Sequence, residues 1–92
     1  MTKSAKKKTL SGAHKKFLRG KAHHLKPIVL VGQSGVTEGI IGSVNDALLA
    51  HELIKVRLRE PEDKTAMAQE LASQSQSHLC GLIGHTAILY RA

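Results

Sequence analysis

The stretch from Ile28 to Ile41, IVLVGQSGVTEGII, constrains the fold of this chain more than any other. Ile28, Val29, Leu30 and Val31 are consecutive apolar residues, mostly β-branched, that follow Pro27 and stop at Gly32. This pattern predicts a short strand covered on both faces. Gly32-Gln33-Ser34-Gly35 is then a strand-to-helix loop, whose two glycines can take φ > 0 and let another backbone come close. Thr37 suits the N-cap position and Val36 can pack on Ile41 as a hydrophobic staple, so a helix is predicted from Glu38. Unpaired N–H groups near Val36 to Gly39, at the positive end of the helix dipole, would favour a phosphate by about 0.3–1 kcal/mol at an exposed position. A GxxG turn more often answers to geometry alone, so the rest of the chain decides between the two.

The chain has 92 residues, enough for one small domain with a single core but not for a large buried active site. Aromatic residues make up only 2% of it, Phe17 and Tyr90, so stacking surfaces are scarce. The single cysteine, Cys80, rules out an internal disulfide and fits a reducing compartment, where it reads as a small buried hydrophobe. No apolar run is long enough for a membrane span, and Met1 to Lys8 lacks the apolar core of a secretory signal, so a cytoplasmic location is expected.

The net charge is +7, and its distribution says more than its size. From Met1 to Pro27 there are nine lysines and arginines and no acid, whereas Ile28 to Ala92 carries five against seven acids. A basic block at one end indicates either a polyanion partner or a solvated tail, and nucleic acid is the stronger reading.

In chain order, residues 1–10 read as a polar, lysine-rich flexible tail and 11–92 as one domain. Ser11 is placed to cap a helix from about Gly12 to Leu25, with Leu10, Phe17, Leu18, Ala22 and Leu25 on its apolar side. Lys15, Arg19 and His23 fall at i, i+4 and i+8 on the other side, flanked by Lys16 and Lys26. Such a row repels itself and is better explained by an external anion than by helix stability. A second helix is predicted from Glu38 to His51, with Gly39 and Gly42 in its early turns suggesting close approach of another group. Leu53 to Arg59 alternates apolar residues with Lys55, Arg57 and Arg59, which predicts a strand with a basic outer face. Pro61 is expected to open a third helix running to about Ser75. Strands from about His78 to Ile83 and Thr86 to Arg91 follow, joined by Gly84-His85 as a type II′ turn. The expected fold is α/β: an α-β-α-β-α-β-β chain in which three helices cover a four-stranded mixed sheet.

Three blocks, AHHLKPIVLVGQSGVTEGI (22–40), HELIKV (51–56) and IGHTAILYR (83–91), closely resemble the CRM domain, named for chloroplast RNA splicing and ribosome maturation. The short bacterial version of that family stands alone. The resemblance covers about Leu10 to Arg91 and implies a fold similar to the C-terminal domain of a bacterial translation initiation factor. It further implies binding to ribosomal RNA in precursors of the large ribosomal subunit, and a part in ribosome assembly. The residues implied are Gly32, Gln33, Ser34 and Gly35 of the loop, Lys15, Lys16, Arg19 and Lys26 on and after the first helix, and Lys55 and Arg57 on the second strand. Two positions depart from the family pattern. Ser75-Gln76 stands where Thr-Gly is usual, so Gln76 is expected at φ > 0, and Gly81 replaces a longer polar residue.

With so few aromatics, the mechanism expected is backbone clamping, as at the GxxG turn of KH domains, with cations adding affinity without reading sequence. Specificity would come from RNA shape. A catalytic reading fails on the missing Gly-Lys-Ser/Thr and the incomplete Gly-x-Gly-x-x-Gly, and Glu38 would repel a free triphosphate. His14, His23, His24, His51, His78 and His85 lack ligand spacing matched by cysteines or carboxylates, so no metal and no cofactor is expected. A monomer is expected. The alternative to RNA binding is a protein-interaction adaptor of ribosome assembly.

Overall fold

A computed structural model describes residues 10–92, and the lysine-rich stretch expected to form a tail lies almost wholly outside them. The chain runs α1 (Gly12–Ala22), β1 (Pro27–Val31), α2 (Glu38–His51), β2 (Leu53–Leu58), α3 (Lys64–Gln74), β3 (His78–Ile83) and β4 (Thr86–Tyr90). The element order is the one expected, and the sheet order is β1-β2-β4-β3. β1 and β2 pair in parallel across the α2 crossover, and the other two pairings are antiparallel.

Local chemistry sets most of the boundaries. The Ser11 hydroxyl accepts the His14 amide at 3.0 Å and the Thr37 hydroxyl accepts that of Ile40 at 3.2 Å, so α1 and α2 start at the expected caps. Helix α3 starts later than expected: Pro61 precedes it, and the Asp63 carboxylate caps it by accepting the Ala66 amide at 3.1 Å. Helix α1 ends at Ala22 rather than near Leu25, because the amides of His23 and Leu25 turn back to the carbonyls of Gly20 and Ala22. Gln76 sits at φ 54, as its place after α3 implies, and Gly84 at φ 58 opens the β3–β4 turn.

The two sheet faces are covered unequally. On one face α2 and α3 bury Val29, Val31, Ile54, Val56, Leu58, Ala87 and Leu89 together with Val44, Leu48, Ala68, Leu71 and Ala72. On the other, α1 packs over β3, β2 and β4 and buries only Leu18, Ala22, Cys80 and Ile88, with Leu10, Leu53 and Tyr90 at the margin. β1 is therefore not covered on both faces. Ile28 is 51% exposed and Leu30 50%, and Phe17, expected on the apolar side of α1, is 61% exposed.

Candidate nucleic-acid interface

The loop after β1 is a tight turn closed by the Gly35 amide, which donates to the Gly32 carbonyl at 3.1 Å. Gln33 and Ser34 form its exposed tip. Its two glycines differ. Gly35 has φ 75, where a side chain would be strained, whereas Gly32 has no positive φ, so the expectation that both need this freedom holds for Gly35 alone. A Cβ built on Gly32 meets nothing within 4 Å. The fold therefore places no demand for glycine at Gly32, and the space beside it is open to a ligand backbone.

Parallel pairing brings the carboxyl ends of β1 and β2 to one edge. The Arg59 amide donates to the Val31 carbonyl at 3.0 Å, which sets Arg59 beside Gly32, and Arg57 stands opposite Leu30 in the register. Arg57 and Arg59 are both exposed, and neither guanidinium has a hydrogen-bond or ion-pair partner among the described residues. Arg59 was not among the site residues expected from sequence. The signal was present: it continues the Lys55, Arg57 alternation, and parallel strands collect ligands at their carboxyl ends.

The other expected cations divide. The Lys55 ammonium donates to the carbonyls of Leu25 at 3.0 Å and His23 at 3.5 Å, closing the turn after α1. It is half-buried and fixed, and it links Lys26, exposed next to that turn, to Arg57 and Arg59 in one cationic band leading to the loop. Lys16 is exposed on α1. Lys15 and Arg19, both half-buried, turn instead toward β3. Arg19 donates to the Cys80 carbonyl at 2.7 Å, and its stem lies over Gly81, where a Cβ would be 2.5 Å from the Arg19 Cδ. That is the physical reason for a glycine at this position of β3. Since β3 is the sheet edge opposite β1, these two cations stand roughly 14 Å from the loop edge, three strand spacings away. Burial pushes the Cys80 thiol up, with Lys15 and Arg19 pulling it partly back.

Among the described residues no group of three or more His, Cys, Asp or Glu is placed to hold a metal ion, and no helix is long and apolar enough to cross a membrane.

Comparison with known proteins gives a consistent picture. The profile of the CRS1 / YhbY (CRM) domain matches residues 10–91. The chain is 46% identical over 84 residues to the probable RNA-binding protein YqeI of Bacillus subtilis, covering 89% of this chain and 88% of that one. It is 40% identical over 85 residues to an RNA-binding protein of Haemophilus influenzae, covering 90% and 86%. Among solved structures, a hypothetical Staphylococcus aureus protein, provisionally assigned RNA binding, superposes with a TM-score of 0.82 at 35% identity, covering 91% of this chain and 90% of that one.

Proposed function

Because this chain belongs to the CRS1 / YhbY (CRM) domain family, we propose that it binds structured RNA by gripping the sugar-phosphate backbone at the Gly32–Gly35 turn, with Arg57, Arg59 and Lys26 neutralising adjacent phosphates. The observation that carries this reading is the open space at Gly32, a glycine the fold does not require, beside two unpartnered guanidiniums. Backbone donors and a glycine surface suit a phosphodiester chain, which comes closer than a Cβ would allow. Guanidiniums suit phosphate oxygens through bidentate hydrogen bonds. The names of the relatives support RNA as the polyanion. The family resemblance supports ribosomal RNA of large-subunit precursors as the natural target, with assistance to assembly as the role.

Titration of a structured ribosomal RNA fragment over a series of salt concentrations tests this. Three or four phosphates neutralised correspond to a log–log slope of about −2 to −4, whereas a flat dependence contradicts phosphate-led binding.

A further inference from the structure

Below the open half of the sheet, between α1 and the start of β1, lies a groove of about 570 Å³. Leu18, Leu25, Ile28, Leu53 and Ile54 make its apolar lining, Tyr90 and His51 contribute rings, and Lys21, Lys26 and Glu52 are its charged members. Glu52 is distinctive. It follows α2 at φ 64 and ψ −42, outside the regions comfortable for a residue with a side chain, where glycine, lacking Cβ, would be less strained. Its backbone is held there from both sides: its amide donates to the Leu48 carbonyl at 2.8 Å, and its carbonyl accepts the Arg91 amide at 2.9 Å. A carboxylate at a strained position, lining an otherwise apolar and cationic groove, points from an observed outlier to a use for the side chain.

We propose that this groove takes one unstacked nucleobase of the RNA held at the Gly32–Gly35 turn, and that Glu52 selects it. The inference rests on the RNA-binding reading and deepens it. Ile28 and Gly32 are four residue steps apart along the strand, roughly 13 Å, so a strand of RNA leaving the turn along β1 passes the groove within a few nucleotides. Lys21 and Lys26 at the groove match the flanking phosphates. The apolar walls and Tyr90 match the faces of a base, and the Glu52 carboxylate accepts from N–H groups on its edge. Guanine offers two adjacent donors and fits best, while uracil sets its single N–H between two carbonyl oxygens that repel the carboxylate and fits worst.

The test measures binding of full-length protein to short single-stranded RNAs that differ only in carrying G, A, C or U at each position in turn. The wild type is expected to prefer G over U by about tenfold at one position, and Glu52→Gln to lose that preference. Glu52→Gly is expected to lose it as well while raising the melting temperature, because the strain is reduced and the fold is retained. Absence of any base preference, or a preference unchanged in both variants, overturns the inference and leaves backbone binding standing. Absence of binding to any of these single strands, in protein that still binds the structured ribosomal RNA fragment, overturns the inference alone, and absence of binding to both overturns the proposed function as well. Self-association of the wild type that Glu52→Gln abolishes, with base preference intact, overturns the inference in favour of an interface between copies.

Discussion

The two faces of the sheet carry the same number of strands and do opposite work. The face under α2 and α3 is closed: Val31, Val44, Val56, Leu71 and Leu89 are all fully buried. The face under α1 is half open, because one short helix spans β2, β4 and β3 and leaves Ile28 and Leu30 beside Lys55 and Arg57. Free energy of folding is concentrated on the first. The second retains an apolar and cationic surface adjoining a glycine turn, a combination that suits the proposed RNA contact and that a core does not need.

The largest difference should appear on truncating matched leucines. Leu71→Ala on the closed face is expected to cost about 2–5 kcal/mol, and Leu30→Ala on the open face under about 1 kcal/mol. Equal losses in urea unfolding would remove the distinction between the faces. The covered end of the open face has its own structural pair: Arg19→Ala is expected to cost about 1–2 kcal/mol through the lost hydrogen bond to the Cys80 carbonyl and the lost packing on Gly81. Gly81→Ala displaces the same side chain, so the double variant should cost less than the two single losses combined. Additive losses would mean the two residues are uncoupled.

Much of this was legible in the sequence. Alternation in Leu53 to Arg59, the caps at Ser11 and Thr37, and the Gly84 turn are local signals, and each appears where local chemistry places it. The exposure of Ile28 and Leu30 was not legible, since four apolar residues in a row fit burial on one face or two, and the answer depends on where α1 lands. The engagement of Lys55 and Arg19 is likewise tertiary: each donates to carbonyls 30 or more residues away in sequence. Gly32 and Gly35 look alike as letters, and only the backbone angles separate them.

Gly20, on the exposed side of α1, has open space around a built Cβ, so Gly20→Ala should stabilise by about 0.5–1 kcal/mol, read as a rise in melting temperature. A fall would show that α1 is packed there against something else. Cys80 lies under the covered end of the open face with its thiol pKa raised. A raised folded-state value means the contribution to stability is complete at neutral pH and is lost as pH climbs above the ordinary thiol range. Wild type should therefore lose stability relative to Cys80→Ala in alkaline buffer, and a thiol reagent should react slowly with the folded protein at pH 8. Fast labelling would indicate that α1 lifts from the sheet.

On the proposed reading Gly32 is a glycine for the ligand and not for the fold. Gly32→Ala, examined side by side for urea stability and for affinity to a structured ribosomal RNA fragment, separates the two most directly. Stability is expected to be unchanged within about 0.5 kcal/mol and affinity to fall by about tenfold or more. An affinity equal to wild type in the equally stable variant would contradict that reading.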